Sequence, residues 1–109
     1  MSFSVLTTRP FERKLRKLAK KYLSLVDDLD ALGKKLEDNP TLGIPLGKDC
    51  YKIRMAITSK GQGKSGGARI ITCVRVVKNT VYMLNIYDKS EQETIANREI
   101  LKAIDEIAE

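Results

Sequence analysis

The sequence predicts an α+β fold in which helices cover one face of a mostly antiparallel sheet. Apolar residues recur at helical spacing between residues 11 and 36, alternate at strand spacing between 50 and 87, and return to helical spacing near the C-terminus. At 109 residues the chain has the size of one domain, and no repeat or change of composition divides it. We therefore expect one domain over residues 1–109.

The N-terminal part is predicted to form a short strand and a helical hairpin. Residues 3–7 are rich in β-branched and aromatic side chains, and Thr8, followed by a proline, is suited to cap a first helix. Ser24, with an acidic residue three positions later, resembles the cap of a second helix that ends near Asp38. The glycines and prolines of 39–47 predict a connecting loop without regular structure. Residues at helical spacing are Phe11, Leu15, Leu18, Tyr22, Leu25, Leu29, Leu32 and Leu36.

A three-stranded meander and a C-terminal helix complete the prediction. Residues 50–58 alternate between apolar and polar, and 68–77 and 80–87 are β-rich runs with a connection short enough for a hairpin. In the last strand, strict alternation predicts one core face and one outer face. The predicted core residues are Tyr82, Leu84 and Ile86, and the outer ones are Val81, Met83, Asn85 and Tyr87. The C-terminal helix is predicted from the apolar residues Ile95, Leu101, Ile104 and Ile107.

The face of the sheet that the helical hairpin leaves open is predicted to be basic. Lys52 and Arg54 share one side of their strand, and Arg69 and Arg75 share one side of the next. Lys60 and Lys64 would lie at the rim of this patch and Tyr87 at its edge. A solvated basic face and a packing tyrosine are the plain alternatives.

Charge and composition narrow the function further. The net charge is +6, yet residues 91–109 carry six acidic against two basic side chains, so the remainder carries +10. A polyanion is the partner that such a surface favours. The chain contains no histidine, which excludes Ser-His-Asp, Cys-His and histidine-based ribonuclease sites and leaves Lys, Tyr, Asp and Glu for acid–base work.

We expect no bound cofactor, no metal site and no segment that spans a membrane. The two cysteines lack metal-binding spacing and have no histidine partner, so we expect free thiols in a cytoplasmic protein. No segment resembles a signal peptide or a membrane span. The run at 63–65 ends like a P-loop, but Thr58 stands where the first glycine belongs and a strand follows, so we interpret it as a mobile basic loop.

Three segments together resemble the RelE/HigB-like branch of the RelE/ParE superfamily of type II toxin–antitoxin toxins. They are DCYKIR (49–54), SKGQGKSGGARII (59–71) and YMLNIYDKSE (82–91), and the resemblance extends over nearly the whole chain. It implies a RelE-like fold and a metal-independent endoribonuclease that cuts mRNA in the ribosomal A site, through attack of a ribose 2′-OH on the adjacent phosphate.

The resemblance also implies partners. A cognate antitoxin would hold the toxin inactive, and operator DNA would be met only through that complex. Two other functions stay open at this point: a ParE-like toxin that inhibits DNA gyrase without cutting RNA, and a nontoxic RNA-binding module.

The resemblance assigns roles by position. Lys52 and Arg54 match the basic strand residues of the family, and Arg69 matches its phosphate-contacting arginine. Tyr87 matches the first residue of a Tyr-x-Lys segment, and either Tyr87 or Lys52 would be the general base. The catalytic candidates are therefore Arg69, Tyr87, Lys52 and Arg54, and the RNA-binding candidates are Lys60, Lys64, Arg75 and Lys89.

The chain departs from the best-known RelE pattern at two positions. Ser90 stands where a basic residue is expected, and Ala96 stands near the place of a catalytic tyrosine.

Overall fold

The computed structural model describes residues 2–91, 95 and 97–107, and within them it shows five strands and three helices. This arrangement confirms the α+β class. In chain order the elements are β1 (Ser4–Thr7), α1 (Arg9–Lys21), α2 (Leu25–Asp38), β2 (Ile44–Gly47), β3 (Cys50–Met55), β4 (Ala68–Arg75), β5 (Thr80–Asp88) and α3 (Asn97–Ile107).

The strands form one sheet in the order β1-β5-β4-β3-β2. The predicted meander is present, because β3 pairs antiparallel with β4 and β4 pairs antiparallel with β5. The N-terminal strand β1 lies parallel to β5 at one edge, with Ser4 opposite Thr80. The sheet is therefore mixed, and β4 lies at its centre.

The prediction of a structureless loop over 39–47 is wrong, because residues 44–47 form the edge strand β2. β2 pairs antiparallel with β3 and has an irregular register between Pro45 and Gly47. Proline has no N–H to donate, but an edge strand pairs on one side only and tolerates it. All four residues of β2 are exposed, so its sequence has no alternating buried face from which the strand could be predicted.

The helical hairpin packs on one face of the sheet, as the spacing of its apolar residues predicted. Phe11 of α1 and Leu25 and Leu36 of α2 are fully buried against Ile70 and Ile86 of the central strands. Each such side chain contributes roughly 1.5–3 kcal/mol on burial. This core fixes which side chains of β3, β4 and β5 point to the other face.

The two helix caps differ from each other. The Thr8 hydroxyl accepts a hydrogen bond from the backbone N–H of Phe11, which confirms the first predicted cap. Ser24 occupies the predicted N-cap position of α2, but its backbone is helical and its side chain makes no capping hydrogen bond. The Ser24 hydroxyl instead lies 2.8 Å from Asp28 Oδ2 and 3.0 Å from Ser59 Oγ, which ties α2 to the segment after β3.

A β-bulge in β5 overturns the predicted facing of residues 81–84, whereas Asn85, Ile86 and Tyr87 face as predicted. Ile71 pairs with Asn85 and Thr72 pairs with Met83, so Leu84 is an extra residue in the ladder. One extra residue reverses the alternation beyond it. The hairpin-side core therefore contains Val81, Met83 and Ile86, whereas Tyr82, Leu84 and Tyr87 belong to the opposite face.

The opposite face of the sheet is not open over its whole width. Ala103 of α3 and Ile95 join a second apolar cluster with Ile71, Leu84 and Tyr87. The C-terminal helix was predicted, but its docking on this face was not. No helix within the described ranges is long and apolar enough to cross a membrane.

Candidate functional site

Three predicted site residues lie side by side across three neighbouring strands. Arg54 of β3 is opposite Arg69 of β4, and Arg69 is opposite Tyr87 of β5. Lys52 precedes Arg54 by two residues and therefore shares its face of the sheet. The structure thus brings together all four residues that the sequence nominated for catalysis.

Arg54 and Arg69 occupy a close pair of the ladder. The N–H of Val74 donates to the carbonyl of Asp49 at 2.9 Å, which makes 49 and 74 a hydrogen-bonded pair. Pairs alternate along an antiparallel ladder, so 54 and 69 form a non-hydrogen-bonded pair with side chains near each other. Like charges directly opposite are destabilising unless something neutralises them. This arrangement favours an anion between the two guanidinium groups.

The guanidinium of Arg69 is buried, with only 4% of the residue exposed. Its Nη1 donates to the carbonyls of Lys64 at 2.8 Å and Ala68 at 3.2 Å. Among the residues that the structure describes, no carboxylate forms an ion pair with it. A buried guanidinium whose recorded hydrogen bonds go only to carbonyl oxygens has an incompletely compensated charge.

The glycine-rich loop between β3 and β4 is held against the sheet near Arg69. A Cβ atom on Gly67 would lie 2.1 Å from the carbonyl oxygen of Met55, so only glycine allows the chain to pass this close. The Gly67 carbonyl accepts a hydrogen bond from the N–H of Lys89 at 3.0 Å. These contacts bring the Lys64 carbonyl within reach of Arg69 and leave the Lys64 side chain exposed.

Lys60 does not lie at the rim of an open patch as predicted. Its Nζ forms an ion pair with the buried Asp88 carboxylate at 2.8 Å and donates to the Gly66 carbonyl and the Ser90 hydroxyl. Burial alone would raise the pKa of Asp88, but hydrogen bonds from Lys60, Tyr22 and Ser90 hold that pKa well below its usual range. Lys60 therefore secures the base of the loop and is poorly placed to contact RNA.

Tyr87 and Arg75 also differ from the prediction of an open face. Tyr87 is 3% exposed, because Ile95 and the apolar side of α3 pack in the same cluster. Arg75 lies six residues beyond Arg69, roughly 20 Å along the strand, and its Nη1 donates to Cys73 Sγ at 2.9 Å. It is not part of the cluster around Arg69. Ala96, near the place where the family pattern has a catalytic tyrosine, lies outside the described residues.

An open groove of about 730 Å³ runs along β3 beside α2 and is lined by Arg54, whereas the buried Arg69 does not line it. Beyond Lys52, β3 has no β2 partner, so its outer edge faces this groove. Lys35 of α2 contributes a cation that sequence reasoning missed, because it lies in the last turn of a helix assigned to the core. The basic residues lining the groove are Lys35, Lys52, Arg54 and Lys64, and Asp28 is the acidic one.

A second basic surface covers the outer side of α1. Its exposed face is composed almost entirely of lysine and arginine, and none of these residues was among the predicted site residues. A shallow groove of about 430 Å³ lies among these side chains. They are Arg13, Lys14, Arg16, Lys17 and Lys20.

Among the described residues, no group of side chains is suited to bind a metal ion.

The fold and the arginine cluster define a small basic α+β protein with a candidate site for an anion, and comparison with known families specifies the class of protein. The chain belongs to the RelE toxin family, since the family model described as the RelE toxin of the RelE / RelB toxin-antitoxin system matches residues 4–109. No curated protein matches the sequence at a significant level.

Two solved structures share the fold. An arginine-to-alanine double mutant of the Escherichia coli toxin RelE in the free state has a TM-score of 0.65 at 16% identity, over 99% of this chain and 100% of that one. The toxin–antitoxin complex RelBE2 from Mycobacterium tuberculosis has a TM-score of 0.58 at 17% identity, over 81% of this chain and 92% of that one. At these identities the likeness supports the RelE fold alone.

Proposed function

We propose that this protein is a toxin that cuts mRNA on the ribosome, without a metal, by directing a ribose 2′-OH against the adjacent phosphate. The observation that carries the proposal is the buried guanidinium of Arg69, which has no carboxylate partner among the described residues and lies opposite Arg54. A phosphodiester would supply the counter-charge that both arginines lack. Membership of the RelE toxin family supports the same reading.

The two arginines would bind the scissile phosphate and stabilise its transition state. Attack by the 2′-OH places additional negative charge on the non-bridging oxygens. Donors that are already fixed at this point stabilise the transition state more than the ground state. Arg69 is fixed by its bonds to two backbone carbonyls and, because it is buried, the residues that cover it must shift before a phosphate can reach it. The exposed Arg54 closes on the phosphate from the groove. Arginine is a poor general base in proteins, so the base must be another residue.

Lys52 and Tyr87 are the two candidates for the group that removes the proton from the 2′-OH. Lys52 lines the groove beside Arg54, so it can contact substrate without any movement of α3. Tyr87 lies next to Arg69 in register but beneath α3, so it reaches substrate only if that helix moves. If Lys52 is the base, α3 can stay in place, whereas if Tyr87 is the base, α3 must move.

Binding to the ribosome would draw on the basic surfaces around this site. The groove beside β3 and the outer side of α1 present cations on two sides of the molecule. Each phosphate that such a cation neutralises releases condensed counterions, which supplies affinity without sequence preference. The arginine pair would then act on the mRNA that the ribosome holds in place.

An antitoxin is the second partner that we infer. RelE toxins pair with antitoxins, and one of the similar structures is a toxin–antitoxin complex. An acidic or amphipathic segment would suit the groove, whose apolar floor includes Leu32 and Ile53 between its cations. Contact with operator DNA would pass through that complex, and action on ribosomes would take place in the cytoplasm.

The experiment that tests the proposal adds purified protein to a reconstituted translation reaction and maps mRNA ends by primer extension. We expect new ends within the translated region, which are absent when ribosomes are omitted. A parallel gyrase supercoiling assay should show no inhibition. Intact mRNA together with inhibited gyrase would contradict the proposal and favour a ParE-like toxin.

A further inference from the structure

The two cysteines of the chain lie directly opposite each other in the sheet. Cys50 begins β3 and pairs with Cys73 of β4, and both are buried in the apolar cluster beneath α3. Both thiols also lie within hydrogen-bonding reach of the Lys48 carbonyl, at 3.7 Å and 3.9 Å. The turn between β2 and β3 therefore covers the pair from one side.

The ladder places this pair at a spacing that a disulfide can bridge. Asp49 and Val74 form a hydrogen-bonded pair, so the neighbouring Cys50 and Cys73 form a non-hydrogen-bonded one. Cα atoms in such pairs are about 4.5 Å apart, and disulfides span Cα separations of about 4.4–6.8 Å. Closing the bond therefore needs rotation of side chains and little movement of the backbone.

One thiol of the pair is prepared to react. Arg75 Nη1 donates to Cys73 Sγ at 2.9 Å. The Cys50 thiol donating to Cys73, together with the charge of Arg75, lowers the pKa of Cys73 to about 7, although burial opposes this. The same sulfur–sulfur hydrogen bond and burial raise the pKa of Cys50. Cys73 is thus the nucleophile and Cys50 the resolving thiol.

We propose that Cys50 and Cys73 form a thiol-modification site, a dithiol that a low-molecular-weight disulfide oxidises reversibly to a cross-strand disulfide. The Cys73 thiolate attacks one sulfur of the oxidant, forms a mixed disulfide and releases the other half as a thiolate. Cys50 loses its proton to solvent and attacks Cys73 Sγ, which releases the second half. The protein loses two electrons and two protons, and the oxidant becomes two thiols.

The site is gated by the turn that covers it. Lys48 and Asp49 both have positive φ angles, of 55° and 62°, and this backbone conformation is uncommon for residues other than glycine. Because both thiols are buried, the oxidant enters only when this turn or α3 opens. Oxidation should therefore be slow in the folded protein and should leave a link that closes residues 50–73 into one covalent loop.

The test uses the whole reduced protein in buffers of oxidised and reduced glutathione, followed by alkylation and intact-mass measurement. We expect a species that has lost two hydrogen atoms and takes up no alkylating agent, and that dithiothreitol returns to the dithiol. Peptide mapping should join Cys50 to Cys73. The thermal midpoint of the oxidised form should rise by roughly 10 °C, because the crosslink restricts the unfolded chain.

Two variants make the test specific. Cys50→Ser should stop at the mixed disulfide on Cys73, because no resolving thiol remains. Arg75→Gln should slow the first step several-fold without preventing the final bond. A folded parent protein that keeps two alkylatable thiols at every glutathione ratio would overturn the proposal. So would a disulfide that forms only between two molecules, or one that forms only in denaturant.

Discussion

Replacing Arg69 with glutamine separates the role of its charge in catalysis from any role in the fold. The substitution removes hydrogen bonds to two carbonyls, each contributing roughly 1–2 kcal/mol. It also removes a buried charge whose desolvation and repulsion with Arg54 oppose folding by a few kcal/mol. These contributions nearly cancel, so we expect the free energy of unfolding to change by less than about 2 kcal/mol.

The effect on cleavage should be far larger than the effect on folding. Loss of one fixed donor to a developing oxyanion typically removes about 3 kcal/mol of transition-state stabilisation, which corresponds to roughly 100-fold or more in rate. Arg69 faces the phosphate as a charged donor, so the decrease should lie at or above this value. Ribosome binding, which many cations share, should change little.

The assay is single-turnover cleavage of mRNA on programmed ribosomes with the protein in excess, with a thermal melt of each variant alongside. Arg75→Gln is the matched control, because it removes an arginine from the same strand outside the cluster, and it should cleave within about twofold of the parent. If Arg69→Gln cleaves as fast as the parent, the arginine does not act on the phosphate. If it unfolds, Arg69 is needed for the fold.

Three further predictions concern the base, the buried ion pair and the salt dependence. Tyr87→Phe keeps the packing of the ring, and Lys52→Met keeps the aliphatic part of the side chain. The variant that loses the general base should cleave about 100-fold more slowly, while its co-sedimentation with ribosomes stays unchanged. Parental cleavage rates in both variants would show that neither residue is the base. Lys60→Met leaves the Asp88 carboxylate buried without its ion pair and should lower the free energy of unfolding in urea by about 3 kcal/mol. Because the folded pKa of Asp88 is lowered, the stabilisation is complete above the ordinary value of about 3.9 and is lost as pH falls, so parent and variant should converge in acid, and a constant gap would contradict this. Ribosome affinity should fall steeply between about 50 and 200 mM salt, and Lys64→Ala should flatten that slope; an affinity independent of salt would show that the basic surface is only solvated.

Elements with a periodic apolar face were predictable from the sequence. The spacing from Phe11 to Leu36 identified both helices and the side they bury, and alternation identified the central strands. The edge strand β2 was missed because it buries no face and contains Pro45 and Gly47. Local pattern carries no information about a strand that is held only by its neighbour.

The candidate site was predictable where alternation holds and unpredictable where distant contacts decide. Arg54 and Arg69 lie together as the strand pattern indicated. The bulge at Leu84 reverses the facing of residues 81–84, and it becomes visible only in the register between β5 and β4. The pairing of Lys60 with Asp88 joins residues far apart in the chain, so a basic loop residue became an internal ion pair.

The central claim, that the ribose 2′-OH attacks a phosphate held by Arg69 and Arg54, is tested most directly on mRNA with a single 2′-deoxy nucleotide at the mapped cleavage position. Programmed ribosomes should bind the protein equally well with either mRNA. We predict no cleavage at the deoxy position, and a 2′,3′-cyclic phosphate at the end of the upstream fragment from unmodified mRNA. Cleavage of the deoxy mRNA at the parental rate would show that the 2′-OH is not the nucleophile and would contradict the proposed chemistry.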